Sequence, residues 1–405
     1  MTRNLAKSPS PWILPVIILS QFAGTSLWFA GNAVLPDLQA SGSIPPGSLG
    51  YVTSAVQFGF ICGTLIFAFF SLSDRFSPRI LFFFCALLGA AANLMVYLTP
   101  VGLGSLLIFR FMTGLFLAGI YPVGMKIAAG WYRQGLGNAL GFLVGALVLG
   151  TAFPHLLKSM GPVAPWQQVI VTTSVASALG GLLMLALVPD GPNHTRSGGF
   201  DSRALIVIFE ARAFRAASFG YFGHMWELYT FWAFVPFFLH AYATFHAETA
   251  VNIPFWSFAI IAAGFIGCAG GGLLSMRIGS APVAFAQLTV SGMCCLLSPL
   301  AFLAPLPAFL AFLLLWGVAV VGDSPQFSAL TARTAPKHLV GSALTIVNCI
   351  GFSITIASIQ ATSYLSDKVD ARFIFLVLAI GPVLGLAALR PLLGSAGTPA
   401  SKGVQ

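Results

Sequence analysis

Twelve apolar runs, each about twenty to thirty residues long, leave this chain one kind of solvent in which to fold. They cover residues 12–37, 48–70, 80–99, 103–131, 138–158, 166–188, 214–240, 252–275, 282–303, 307–332, 340–362 and 372–390. A helix needs roughly 20 apolar residues to cross the hydrocarbon of a bilayer. No water-soluble core absorbs twelve such runs in 405 residues. The composition agrees: 58% of the chain is hydrophobic and 7% is charged, whereas a soluble domain carries about 25% charged residues. The pattern predicts an all-α polytopic membrane protein with 12 transmembrane helices, numbered here as segments one to twelve.

Turn chemistry separates the segments: SGSIPPG at 41–47, TPVG at 99–102, GPVAP at 161–165, APLP at 304–307 and APKH at 335–338. The run after the N-terminal MTRNLAKSPSP is too long for a signal-peptide core, so it is read as the first span. The longest hydrophilic stretch, PDGPNHTRSGGFDSRA at 189–204, falls after segment six. It sets the expected division: an N-terminal six-helix bundle over 1–188, a cytoplasmic linker over 189–213 and a C-terminal six-helix bundle over 214–405.

The net charge of +9 invites a nucleic-acid reading, which its distribution removes. With the N-terminus placed in the cytoplasm, the cytoplasmic stretches hold Arg3, Lys7, Arg75, Arg79, Arg133, Arg196, Arg203, Arg212, Arg215, Arg277, Arg333, Lys337, Arg390 and Lys402, fourteen of the 19 Lys and Arg. The opposite side holds Lys158, Lys368 and Arg372. That asymmetry is the positive-inside signature, and it predicts cytoplasmic termini in a cell (inner) membrane. The six Cys all lie in apolar runs without CxxC spacing and read as packing residues.

The two halves echo each other. LSDRFSPR (72–79) follows segment two, and GGLLSMRIGS (271–280) follows segment eight. This is the pattern of parallel internal repeats. The first of these loops resembles the hallmark loop of the major facilitator superfamily, G-x-L-a-D-R-x-G-R-[RK]. Leu72, Ser73, Asp74, Arg75 and Arg79 match it; Phe70 and Ser77 stand at its glycines and Pro78 at an Arg. In the second half Gly272, Leu274, Ser275, Arg277 and Gly279 match, and Met276 replaces the Asp. The family's R-x-x-x-G in segment four is similar to Arg110 and Gly114, and its antiporter motif survives only in part, at Gly141, Gly150 and Pro154. The stretch GYFGHMWELYTFW (220–232) resembles a feature of one bacterial subgroup.

The resemblance implies two six-helix bundles rocking about a central site lined by segments one, four, seven and ten. It also implies that Asp74, Arg75, Arg79 and Arg277 gate the cytoplasmic side, with Asp74 bracing the outward-open state. Charge inside a span is costly, by about 2.5–3.5 kcal/mol on insertion scales. Setting His aside, Arg110, Lys126, Glu227 and Asp323 are the ionisable residues well inside spans, and all four fall on the implied cavity segments.

Each has two readings. Arg110 either bonds carbonyls of neighbouring spans or attracts an anion. Lys126 either snorkels to the surface or meets substrate. His224 and Glu227, three residues apart, share a helical face. They read as a structural hydrogen bond or as a titratable carboxylate oriented by the His; a metal site on this pair alone has too few ligands. Asp323 precedes Pro325, a helix-breaking device beside an acid; it is a carrier or a bridge to a nearby cation. Tyr229, Gln326, Gln21 and Asn32 are neutral candidates on the same segments. Gln57 and Asn348 read equally as interhelical hydrogen bonds.

The expected function is secondary active transport by alternating access. No P-loop is present, so ATP is not the direct energy source, and no HExxH or GxSxG points to an enzyme. Protons are the expected coupling ion, carried by Glu227 or Asp323. A small organic anion or zwitterion is the favoured substrate, on the strength of Arg110 and Lys126. Export of cationic or neutral drug-like compounds is the near alternative, and a membrane sensor or embedded enzyme the distant one. No cofactor or metal is expected, and the chain is expected to act as a monomer in the lipid bilayer.

Overall fold

A computed structural model describes residues 10–132, 136–161, 165–192, 204–247 and 250–393. Most of the hydrophilic stretch 189–204 and the basic residues Arg3, Lys7, Arg133, Arg196, Arg203 and Lys402 lie outside the described residues. Helices account for the regular structure, with no strand among the described residues.

Among the described residues, eleven helical segments are long and apolar enough to cross a membrane: Ile13–Ala40, Leu49–Phe69, Pro78–Leu98, Leu103–Trp131, Gly137–Ser159, Trp166–Leu187, Ile253–Ile278, Ser280–Phe302, Leu306–Thr334, Val340–Ser366 and Ala371–Leu393. They correspond to every predicted segment except the seventh. Segment seven is the helix Arg212–Phe245, 34 residues long. Its length is ample, but Tyr, Trp, His and Glu side chains dilute its hydropathy, and most of these are buried. A helix with polar groups all along it that is nevertheless buried is packed against protein rather than lipid.

The chain divides into two compact units, Met1–Phe200 and Asp201–Gln405. Both use the same device to bring helices together. In the first, Gly59 and Gly63 of segment two face the carbonyls of Phe111 and Leu115 in segment four, and Gly114 faces the carbonyl of Val56 in return. In the second, Gly267 of segment eight faces the carbonyl of Val318 in segment ten, and Gly317 faces that of Ile260. At all five positions a Cβ would stand 1.9–2.3 Å from a backbone oxygen, far inside van der Waals contact. Small residues at such crossings let backbones approach closely.

Three segments are interrupted. Segment one is a helix to Thr25 and again from Ala30. Segment four stops at Leu117 and resumes at Tyr121. Segment ten stops at Gly322 and resumes at Ser324, leaving Asp323 in the break. In segments four and ten a proline, Pro122 or Pro325, occupies the first turn of the second piece. There its missing N–H costs nothing, while a continuous helix would lose a bond. Segment one has no proline in its break. Instead Thr25 Oγ1 donates to Gln21 O at 2.8 Å and Ser26 Oγ to Ala23 O at 2.7 Å, and such local hydroxyl bonds bend helices.

Candidate functional site

In the first unit, the break in segment one and the buried Arg110 explain each other. Arg110 is 0% exposed. Its Nη2 donates to Leu27 O at 2.9 Å and to Trp28 O, both inside the break, and its Nη1 donates to Asn93 Oδ1 at 3.2 Å. Carbonyls freed by a broken helix need donors, and the guanidinium supplies them in a fixed fork. Gly31 completes the seat: a Cβ there would stand 2.8 Å from Arg110 Cδ and Nε. Asn93 is itself held by Ile170 O, Thr173 Oγ1 and Ser174 Oγ at 3.0–3.2 Å. Of the two readings of Arg110, the structure places it on backbone carbonyls.

Lys126 does not extend freely to the surface. Its Nζ forms an ion pair with Asp74 and donates to Ser73 O at 2.7 Å. Asp74 therefore sits against the second piece of segment four. Arg79 Nη1 donates to Leu185 O at 3.3 Å, and Ser77 Oγ to Asp190 Oδ1 at 2.8 Å. These bonds join the loop after segment two to the end of segment six. Arg75 and Arg277 are exposed. The loop turns through Ser71 at φ 51°, the one non-glycine residue with positive φ among the described residues, whereas the second-half loop uses Gly279 at φ 90°.

Neutral groups form rungs between segments one and two. Trp28 Nε1 donates to Gln57 Oε1 at 3.2 Å, and Asn32 Nδ2 to Thr53 Oγ1 at 2.7 Å. Gln57 is thus an interhelical bond. Gln21 is fully buried against Gly124 of segment four, with both amide atoms lacking a hydrogen-bond partner.

In the second unit the polar face of segment seven is split between two neighbours, and the expected His224–Glu227 bond is replaced by other pairings. His224 Nδ1 stands 2.8 Å from Asp323 Oδ1, with side-chain exposures of 1% and 0%. The pair is at ion-pair distance, and the backbone N–H groups of Asp323 and Ser324 also lie near the carboxylate, while His224 Nε2 has no hydrogen-bond partner. Glu227 turns instead to segments nine and ten. It accepts from Trp316 Nε1 at 2.7 Å, Ser291 Oγ at 2.9 Å and Cys295 Sγ at 3.4 Å. Three neutral donors outcompete one imidazole on its own helix because His224 has a carboxylate opposite it.

Other bonds seat segment seven on segments eleven and twelve. Tyr221 donates to Asn348 Oδ1 at 2.9 Å, Thr355 to Met225 O at 2.7 Å, and Trp226 Nε1 to Val377 O at 3.0 Å. Gly223 meets the backbone of Gly381 and Gly385. Tyr229 is buried in an aromatic cluster with Trp232 and Phe352, at centroid distances of 5.3 and 5.2 Å. Gln326 is buried in the first turn beyond the break.

The sequence reading missed Asn93, Ser291, Cys295 and Trp316. Trp316 carried a signal: it lies seven residues before Asp323, two helical turns on one face. Ser291 and Cys295 share an i,i+4 face as well. Among the described residues no group of three His, Cys, Asp or Glu side chains is placed to hold a metal ion.

A fold of broken apolar helices in two units, with acids and an arginine seated at or against the breaks, is that of a membrane transporter. The sequence profile of the Major Facilitator Superfamily matches residues 16–359, and the chain belongs to that family. It is accordingly a multi-pass secondary transporter of small molecules and not an enzyme. No curated protein matches the sequence. Among solved structures, the chain is similar to the proton:xylose symporter XylE bound to 6-bromo-6-deoxy-D-glucose, with TM-score 0.73 and 13% identity, covering 94% of this chain and 96% of that one. It is also similar to the human organic anion transporter MFSD10 (TETRAN), with TM-score 0.67 and 16% identity, covering 94% and 100%. At these identities the likeness carries the fold alone.

Proposed function

We propose that the chain is a proton-coupled transporter in which the His224–Asp323 pair is the proton-binding site. The observation that supports this is Asp323 in the break of segment ten, fully buried and 2.8 Å from His224. A buried carboxylate in that position is tolerated only through its partner or a proton. A proton that arrives and leaves therefore changes the relative free energy of whatever conformations expose the pair differently. Glu227, the other candidate, already has its oxygens met by neutral donors.

The substrate reading shifts with the cations. Arg110 and Lys126 favoured a small organic anion, but both are engaged within their own unit. The buried carboxylate of Asp323 suits a solute bearing a donor. A small zwitterion, a cation or a neutral hydroxylated compound fits this; an anion without a donor does not. Protein in proteoliposomes loaded with a pH-sensitive dye is expected to move protons when a solute selected by thermal shift is added. Solute flux without proton movement, under imposed gradients of either sign, would remove the coupling.

The same proposal includes twelve helices in two six-helix bundles working as a monomer, an inner-membrane location, cytoplasmic termini, and gating by Asp74, Arg75, Arg79 and Arg277. Single Cys residues placed within 189–204 of a Cys-depleted variant are expected to resist an impermeant thiol reagent added outside intact cells. Ready labelling from outside would reverse the orientation.

A further inference from the structure

We propose that Glu227 is the positioning residue of the His224–Asp323 pair, fixing the rotation of segment seven so that His224 meets the break in segment ten. The inference rests on the reading of that pair as the proton site.

One contact between two helices leaves each free to turn about it; a second contact at another height removes that freedom. Segments seven and ten have both. His224 meets Asp323, and one turn further along segment seven Glu227 meets Trp316. Trp316 lies on Leu306–Gly322, the helix that ends at Asp323. Its indole is stacked on Phe231 of segment seven at a 4.4 Å centroid distance and 29° between planes, which aims its N–H at the carboxylate. Ser291 and Cys295 tie the same carboxylate to segment nine. Glu227 is 1% exposed. The two acids of segments seven and ten thus differ in kind. Glu227 is held by three neutral donors, and Asp323 faces the imidazole of His224.

Other titratable groups near the pair come from segments seven, eight, nine and ten. Segment ten supplies Asp323 itself. Segment eight supplies Cys268, whose thiol lies 3.4 Å from Val321 O and within electrostatic reach of Asp323. Segment nine supplies Cys294 and Cys295, and segment seven supplies Tyr221 and Glu227. Segments eleven and twelve meet it through the neutral Asn348, Ser358, Thr355 and the Val377 carbonyl, with Arg390 exposed at the end of segment twelve.

The test is pH-difference infrared spectroscopy of reconstituted protein, which needs no substrate. Asp323→Asn identifies the Asp323 carboxyl band by its loss. Glu227→Ala removes the anchor, and the band is expected to shift and broaden. Trp316→Phe is expected to do the same while keeping the ring stack, and it serves if Glu227→Ala does not fold. Glu227→Gln keeps an acceptor for Trp316, so the narrow band is expected to persist. A band lost in Glu227→Gln as fully as in Asp323→Asn would make Glu227 the carrier and overturn the proposal. An unmoved band in folded Glu227→Ala and Trp316→Phe would overturn it too. A band untouched by Asp323→Asn would instead sink the proton-site reading, and the positioning role with it.

Discussion

Asp323→Asn is expected to abolish pH-gradient-driven accumulation in proteoliposomes, down to the level of protein-free vesicles, while counterflow exchange of the same solute persists. Asparagine keeps the volume of the side chain and one acceptor toward His224, so the break in segment ten and its seat against segment seven survive. What it removes is the exchangeable proton. Coupling requires that the loaded and unloaded carrier differ in their preference for the two access states, by an amount set by differential interaction free energy. A residue fixed in one protonation state supplies no such difference. Exchange at equal pH needs only binding and alternation, so it continues. If the folded variant accumulates solute as the wild type does, the proton site lies elsewhere. If exchange fails as well, Asp323 contacts the solute directly, and a donor-bearing substrate is the reading that follows.

Much of the architecture was written in the apolar runs. Their length and their turns predict twelve segments, eleven of which recur among the described residues as apolar spans to within a few residues at each end. The seventh recurs as the helix Arg212–Phe245, whose hydropathy is lowered by polar side chains that are mostly buried among other helices. The breaks were legible only where proline marks them. Pro325 announced the interruption at Asp323, whereas the break at residues 26–29 arises from Thr25 and Ser26, residue types common in unbroken helices.

The partners of the buried charges were the least legible part. Arg110 binds two carbonyls that become available only because a helix 82–83 residues earlier is interrupted, and a backbone carbonyl has no letter in the sequence. Lys126 and Asp74 were both singled out, yet nothing in their spacing paired them. The His224–Glu227 face was real, but helical spacing gives only a shared side. Which neighbour each side chain takes depends on what stands across from it: Asp323 for one, Trp316 and Ser291 for the other. The two halves, faintly similar as sequence, share their construction more plainly in the reciprocal glycine contacts of segments two with four and eight with ten.

Those contacts carry the largest expected loss of stability. Gly114→Ala and Gly317→Ala each place a Cβ against a carbonyl oxygen, of Val56 and Ile260 respectively. No rotamer change relieves a clash between a Cβ and backbone, so the helices must separate. Separation withdraws the neighbouring Gly59, Gly63 and Gly267 from their own close approaches. Overpacking a tight core costs about 1–3 kcal/mol and occasionally more, and a backbone contact belongs at the upper end. The controls lie on helices of the same two crossings. A Cβ on Gly104 of segment four or Gly270 of segment eight would meet nothing within 4 Å, and alanine is the better helix former by about 1 kcal/mol. Gly104→Ala and Gly270→Ala are therefore expected to melt at or above the wild-type temperature. Gly114→Ala and Gly317→Ala are expected to melt well below it, or to leave no monodisperse protein in detergent. Indistinguishable melting of Gly114→Ala and Gly104→Ala would mean that segments two and four do not meet backbone to backbone. Arg110 lies one turn from Gly114 on segment four. A milder expansion at that crossing is therefore expected to loosen its hold on the break in segment one before the unit unfolds.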